Sequence, residues 1–169
     1  MFVLGALGVA GLATQPAARA YEGELSVGVE GGYAHAFGVN EPGGSGGLHF
    51  AYGLASTWTF AAHAGYALHA APSEPRHVVE LGSEILYVLD AVSFVPYAGI
   101  GGAVLGSVHG GELTFLGGPL ATIGGQYYLS RSWLIGFDVR GVLLVNGLDD
   151  GSIPVHLTAT LRVSFAQAL

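Results

Sequence analysis

Apolar residues alternate with small or polar residues through eight segments of the chain, between Glu24 and Phe165. Successive side chains of a β-strand point to opposite faces, so each segment predicts a strand with one apolar and one polar face. In the first segment Leu25 and Val27 lie on the apolar face, whereas Glu30 lies on the polar one. The apolar faces suit lipid, and the glycine-rich polar faces suit a narrow interior. The pattern predicts an all-β fold, an eight-stranded antiparallel up-and-down transmembrane β-barrel.

Turn-forming residues and short polar stretches separate the eight predicted strands. The strands cover about residues 24–37, 47–56, 58–69, 76–89, 94–108, 113–129, 133–145 and 153–165. Connections after the second, fourth and sixth strands are short, and the others are mostly longer, the longest being Gly38–Gly47. Bacterial membrane barrels have short periplasmic turns and longer external loops. With an even number of strands, this asymmetry predicts that both termini are periplasmic.

Glycine and aromatic residues help to assign the two faces of the predicted strands. In the fifth strand both faces are apolar or glycine, and we place Gly99 and Gly101 inward because small residues leave room in a narrow barrel. The outward face carries aromatic residues near the predicted periplasmic rim, where membrane proteins have aromatic belts. This predicted girdle consists of Trp58, Tyr87, Tyr127, Trp133 and Phe165.

Most charged residues of the predicted strands fall on the inward face. Counted from the periplasmic end, Glu80 lies somewhat higher than the others and Arg162 lies lower. The residues at similar depth are Glu30, Glu84, Asp138 and Arg140, with the histidines His49, His63 and His156 nearby. Charges in a poorly hydrated interior must be paired, so we expect Arg140 to bind Glu84 or Asp138, and Arg162 to bind Glu30. Because these acids outnumber the two arginines, we also expect a protonated carboxyl or histidine in the lumen. Such a network would plug the barrel.

Composition favours a membrane protein over a soluble one. Only 10% of residues are charged and the mean hydropathy is +0.53, whereas about 25% of residues are charged in soluble domains. Past residue 20 no apolar run reaches the length of a helical membrane span. The five basic residues are all Arg and are outnumbered by twelve acids, so nucleic acid is not an expected partner. There is no Cys, and no motif predicts a cofactor.

The first twenty residues predict a signal peptide. Phe2–Ala13 form a short apolar stretch, and Ala18-Arg19-Ala20 match a small-x-small cleavage site. No Lys or Arg precedes the apolar stretch, so we expect the true start of this peptide to lie upstream of Met1. The predicted domains are therefore a signal peptide at 1–20 and a barrel at 21–169, with an ordinary N-terminal helix as the alternative for the first segment.

Three other kinds of site match single features of the sequence. The lumen histidines and carboxylates are suitable zinc ligands, although they lack a short spacing motif. Residues 146–152 are acidic enough for weak Ca²⁺ binding, but their spacing differs from that of an EF-hand loop. Ser152 with His156, or Ser107 with His109, could form a nucleophile and base, but neither pair has an evident acidic partner. We therefore expect no enzyme activity.

Three stretches in the second half of the chain resemble a known group of proteins. Pro96–Gly102 reads PYAGIGG, Gly124–Leu129 reads GGQYYL, and Trp133–Arg140 follows. Together they resemble the small outer-membrane β-barrel proteins of the OmpA, OmpW and OmpX type. The resemblance implies a monomeric barrel in the outer membrane of a Gram-negative bacterium, with membrane lipid and the barrel-assembly machinery as partners. Members of this group usually end on an aromatic residue, whereas here four residues follow Phe165.

These observations leave three classes of function open. The first is an integral outer-membrane protein with a structural or envelope-interaction role and a lumen plugged by side chains. The alternative is a narrow channel, or a binder or transporter of small apolar ligands, which some proteins of the resembled group suggest. The third is a soluble ligand-binding barrel of the lipocalin or avidin kind, which would need a charged exterior that this sequence lacks.

Overall fold

Eight β-strands account for most of the described chain. The computed structural model describes residues 22–72, 74–89, 94–145 and 154–169, so the predicted signal peptide at 1–20 lies outside it. The strands are β1 (Glu24–Ala36), β2 (Glu41–Gly53), β3 (Trp58–His69), β4 (Arg76–Val88), β5 (Phe94–His109), β6 (Glu112–Tyr128), β7 (Trp133–Leu143) and β8 (Val155–Ala168). In the described residues, no helix is both long enough and apolar enough to cross a membrane.

The strands form one closed barrel in which each strand pairs antiparallel with its sequence neighbours. The closing contact pairs β1 with β8, with Glu30 opposite Arg162 and Val27 opposite Phe165. Closure leaves no open sheet edge between first and last strands, so the backbone groups along the seam are paired. The predicted fold class, an all-β eight-stranded up-and-down barrel, is confirmed. We call the rim of the barrel that holds Glu24 and Ala168 the terminal end, and the opposite rim the distal end.

Burial alternates along the strands as the sequence pattern predicts. On β7 the side chains of Ile135 and Phe137 are exposed, whereas those of Leu134 and Asp138, at the alternate positions, are buried. The exposed set of the barrel is mostly large and apolar, and the buried set includes charged residues. This arrangement is the reverse of a soluble protein, where apolar side chains fill the core. It requires a barrel surrounded by an apolar medium.

The fifth strand, whose parity the sequence leaves ambiguous, also has one inward and one outward face. Gly99 and Gly101 share a face with the buried Tyr97 and Leu105, in agreement with the prediction. Gly101 lies beside Glu84 of β4, where an added Cβ would be 2.6 Å from the Glu84 Cα. Glycine at this position therefore lets β4 and β5 pair closely while Glu84 points inward.

The predicted long loop between the first two strands is wrong. Its residues from Glu41 to Gly47 belong to β2, and only 37–40 connect β1 to β2. An added Cβ at Gly47 would be 2.5 Å from the carbonyl oxygen of Ala64 on β3. The glycines of this stretch therefore allow close strand packing, although their clustering is more typical of a loop. The connection between β5 and β6 is also shorter than predicted and consists of Gly110 and Gly111, both with positive φ.

Two buried apolar clusters line the inside of the barrel. The cluster at the distal end includes Val78, Leu105, Leu120 and Val142, and the cluster at the terminal end includes Leu86, Val88, Val95 and Tyr97. On β4 the carboxylates Glu80 and Glu84 occur between Val78 of the first cluster and Leu86 of the second. The apolar clusters therefore flank a polar middle layer.

Candidate functional site

The structure places all nine predicted lumen residues inside the barrel. The side chain of Glu30 is 4% exposed, and the other eight are buried. The members are Glu30, Glu80, Glu84, Asp138, Arg140, Arg162, His49, His63 and His156. Because every second residue of a strand points the same way, the sequence pattern was sufficient to find their face. It was not sufficient to find their partners.

Arg140 binds Glu30, and the predicted pair with Glu84 or Asp138 is wrong. Its Nη2 donates a hydrogen bond to the Glu30 carboxylate and another, of 3.2 Å, to the Thr160 hydroxyl. The side chain thus extends from β7 past β8 to β1. In the described part of the chain, neither arginine of the lumen forms a hydrogen bond with Glu84. A long, flexible side chain reaches beyond its nearest backbone neighbours, so strand position alone does not determine its partner.

Arg162 binds Asp138, and the predicted pair with Glu30 is wrong. Its Nη1 donates to Asp138 Oδ2 at 2.9 Å, and its Nη2 donates to the Tyr97 hydroxyl at 3.0 Å. The Tyr97 hydroxyl in turn donates to the other oxygen of Asp138. Gly136 leaves room for this arrangement, because an added Cβ there would be in tight contact with Arg162 Nη2, at 3.3 Å. Sequence reasoning missed Tyr97, although the inward parity given to Gly99 and Gly101 also applies to it.

Glu80 binds two histidines from different sides of the barrel. Its Oε1 accepts a hydrogen bond from His63 Nε2 at 2.9 Å, and its Oε2 accepts one from His156 Nδ1 at 3.0 Å. His63 lies on the neighbouring strand β3, whereas His156 lies on β8. In a closed ring of eight strands β4 and β8 are diametrically opposite. The bond between Glu80 and His156 therefore crosses the full width of the lumen.

Three further polar residues extend this network to the distal end. Arg76 donates to both carboxylate oxygens of Glu41, at 2.7 and 3.3 Å. His69 Nδ1 contacts the backbone carbonyl of Glu41 at 3.0 Å, and His69 Nε2 lies 3.2 Å from His156 Nε2. Sequence reasoning did not include these residues in the network, although the parity of β2, β3 and β4 places all three on the inward face.

The space left inside the barrel is small. A cavity of about 30 Å³ toward the terminal end is lined by residues that include His49, Tyr97 and Arg162. A second cavity, of about 20 Å³, is lined by residues that include Glu80 and His156. One water molecule needs about 10–15 Å³ measured in this way, so each cavity has room for one or two waters. Neither cavity can hold a drug-sized ligand.

The structure describes the residues of two alternative sites, the lumen zinc ligands and the pair of Ser107 and His109. No group of three or more His, Asp or Glu side chains in the described residues is arranged to hold a metal ion. The Ser107 hydroxyl accepts a hydrogen bond from Arg76 at 3.5 Å. A serine nucleophile would instead donate its proton to a histidine base. The proposed Ca²⁺ loop at 146–152, which contains Ser152, lies outside the described residues.

Several solved structures with this architecture are those of outer-membrane proteins. No protein-family model matches the sequence, and no curated protein matches it. Neisserial surface protein A is similar with a TM-score of 0.63 and 18% identity, over 88% of this chain and 100% of that one. The N-terminal β-barrel domain of Pseudomonas aeruginosa OprF has a TM-score of 0.61 and 15% identity, over 88% and 100%. The chain has the fold of the small outer-membrane barrels.

A third small outer-membrane barrel was solved with a ligand. Ail, the attachment invasion locus protein of Yersinia pestis, in complex with the heparin analogue sucrose octasulfate, has a TM-score of 0.60 and 11% identity. The match covers 86% of this chain and 99% of that one. The fold expected from the sequence resemblance is therefore confirmed, and at these identities the similarity establishes the fold alone.

Small outer-membrane barrels carry aromatic girdles at both interfaces, and this chain has the residues for two. The five predicted girdle residues, Trp58, Tyr87, Tyr127, Trp133 and Phe165, are 41–51% exposed. Two edge-to-face pairs form among them, Trp58 with Tyr87 at 5.1 Å and Trp133 with Phe165 at 5.7 Å between ring centroids. All five lie near the terminal end of their strands.

A second set of exposed rings lies toward the distal end and was not predicted. The Tyr33 hydroxyl is 3.0 Å from His35 Nδ1, and Tyr66 contacts His77 on the adjacent strand. On β3 the two sets are represented by Trp58 and Tyr66. At about 3.3 Å per residue and a tilt near 40°, they are separated by about 20 Å along the barrel axis, close to the apolar band of about 25 Å in membrane barrels.

Proposed function

We propose that the protein is an integral barrel of the bacterial outer membrane with a structural or envelope-interaction role, and that side chains plug its lumen. Both termini are periplasmic in this proposal. The exposed apolar band between two sets of aromatic rings supports the membrane location. The outer-membrane proteins that share the fold support the choice of membrane. The closed seam between β1 and β8 is consistent with a monomer that contacts lipid and, during biogenesis, the barrel-assembly machinery.

The bond between Glu80 and His156 is the observation that carries the plugged lumen. It joins opposite strands at 3.0 Å, so no continuous open path remains at its centre. Nearer the terminal end, Arg162 of β8 reaches Tyr97 of β5 at 3.0 Å. Side chains thus span the lumen at two depths, and the cavities beside them have room only for water.

The envelope-interaction role does not include binding of a sulfated ligand of the kind seen with Ail. Such ligands are bound by clusters of basic side chains. The chain has only five Arg and no Lys. Arg140 and Arg162 lie inside the barrel, and Arg76 binds Glu41. The remaining described arginine, Arg131, lies between β6 and β7 at the terminal end.

Heat-modifiable migration tests the membrane barrel. The mature chain folded into detergent or lipid should run on a gel at a different position before and after boiling, because a closed barrel resists denaturation by the gel detergent. Extraction of the native protein as a monomer without detergent would contradict the proposal and favour a soluble barrel.

Vesicle swelling tests the plug against the channel alternative. Vesicles that contain the wild-type protein should not swell in small sugars, because the lumen admits no solute. The triple variant Glu80→Ala, His156→Ala, Arg162→Ala removes both contacts that span the lumen and should raise the swelling rate. The control Glu74→Ala, at an exposed distal position, should not. Swelling with the wild-type protein equal to that of the triple variant would support a channel.

A further inference from the structure

Four buried side chains link four strands through hydrogen bonds. His63 and His156 bind the two oxygens of Glu80, His156 contacts His69, and His69 contacts the carbonyl oxygen of Glu41. The successive distances are 2.9, 3.0, 3.2 and 3.0 Å. We propose that this series of hydrogen-bonded side chains binds one proton, which is held on His156. The proton completes the connection between Glu80 and His69 across the lumen. The proposal concerns the interior bonds and does not depend on whether the lumen conducts.

The two acceptors at the ends of this hydrogen-bonded series, Glu80 and the Glu41 carbonyl, determine where its hydrogens lie. A carboxylate only accepts hydrogen bonds, so His156 Nδ1 must donate to Glu80. A backbone carbonyl also only accepts, so His69 Nδ1 must donate to Glu41. If both rings were neutral, each would then have a bare Nε2, and two lone pairs would face each other at 3.2 Å. A hydrogen bond between these nitrogens requires one additional proton on the pair.

The surroundings assign that proton to His156. Its ring contacts the carboxylate of Glu80, which stabilises an imidazolium, whereas His69 faces a neutral carbonyl. His156 then donates from both nitrogens, and neutral His69 accepts at Nε2. His63 donates to Glu80 from Nε2, and its buried Nδ1 has no hydrogen-bond partner among the described residues.

The neighbouring charges leave Glu80 as the counter-charge of His156. Arg140 of β7 binds Glu30 of β1, and Arg76 of β4 binds Glu41 of β2. Arg162 of β8 binds Asp138 of β7. Each of these arginines therefore has a carboxylate of its own. Without this proton, His156 would no longer be a cation for Glu80, and its contact with His69 would be broken.

Nitrogen NMR of the full chain, labelled with ¹⁵N-histidine and folded in lipid nanodiscs, tests the proposal. At neutral pH His156 should show two protonated ring nitrogens, and His69 should show one. Glu80→Gln should remove the second proton from His156, whereas Glu84→Gln, a buried carboxylate on the same strand that does not bind His156, should leave it in place. The ring-nitrogen signals that disappear in the His156→Gln variant are assigned to His156.

Either of two results would overturn the proposal. One is a His156 ring with a single proton in the wild-type protein at neutral pH. The other is an imidazolium that persists unchanged in Glu80→Gln, because the proton would then not depend on this carboxylate. The first measurement uses the wild-type protein and so holds even if a variant fails to fold. Vesicle swelling, measured on the same protein, reports on the plug independently.

Discussion

Glu80 on β4 and His156 on β8 are hydrogen-bonded at 3.0 Å across the full width of the barrel. Backbone pairing in the barrel wall connects only neighbouring strands, so a bond between opposite strands must be formed by side chains inside the lumen. The pair connects opposite walls through a layer of charged residues that lies between two apolar clusters. In the proposed function, this pair is the central contact of the plug that fills the lumen.

Arg140→Ala should destabilise the barrel by about 3–5 kcal/mol, the cost of leaving a buried charge without its partner. Its side chain is 4% exposed and is the bonded cation of Glu30. Arg76→Ala is the matched control, because the Arg76 side chain is 24% exposed and water can partly replace it at Glu41. Urea unfolding in lipid vesicles measures both free energies. Equal losses in the two variants would contradict a lumen network that depends on buried pairs.

Tyr97→Phe should cost about 1–3 kcal/mol of the free energy of unfolding. The variant removes a hydroxyl that binds Asp138 and Arg162 and leaves both with an unsatisfied group. Tyr87→Phe, in the exposed girdle, should change stability by less than about 0.5 kcal/mol. A cost for Tyr97→Phe no larger than that of Tyr87→Phe would show that the hydroxyl is not part of the network.

Gly82→Ala should destabilise the barrel by about 1–3 kcal/mol, as is typical when a packed core is overfilled. The added Cβ would be 2.5 Å from His63 Nε2, the atom that binds Glu80. Gly141→Ala introduces the same methyl group where no atom lies within 4 Å. The difference between the two unfolding midpoints isolates the displacement of His63, and its absence would mean that this ring is free to move.

Fluorescence of Trp58 and Trp133, the two tryptophans of the chain, should report the membrane interface. Both lie in the girdle at the terminal end of the barrel. Lipids with bromine near the headgroup should therefore quench their fluorescence more than lipids with bromine near the ends of the acyl chains. Single-tryptophan variants, with the other residue replaced by Phe, should give the same order. Stronger quenching by the deeper bromines would contradict the position of the girdle.

The sequence was sufficient for the fold and for the inward face of the six predicted lumen charges, because alternation has a period of two and a membrane barrel uses both faces. It was misleading where glycine packs strands together. Gly43 was assigned to a loop, but it lies in β2, where its missing side chain makes room for β3. Loop composition and close packing favour the same residue, and one sequence does not distinguish them.

Ion pairing could not be predicted because parity says which way a side chain points, not how far it reaches. Glu30 is directly opposite Arg162 in the register, yet it binds Arg140 from two strands away. Arg162 instead lies over Gly136 and reaches Asp138. These choices depend on the space that glycine leaves in the interior, which only the three-dimensional packing defines.

Single-channel recording in a planar bilayer tests the central claim of a plugged barrel most directly. The folded wild-type protein, inserted in KCl solution, should give no stable openings, because Glu80 and His156 close the lumen and the remaining cavities admit only water. Insertion is verified by heat-modifiable migration of the same sample. Reproducible open levels of constant conductance from the wild-type protein would contradict the plug.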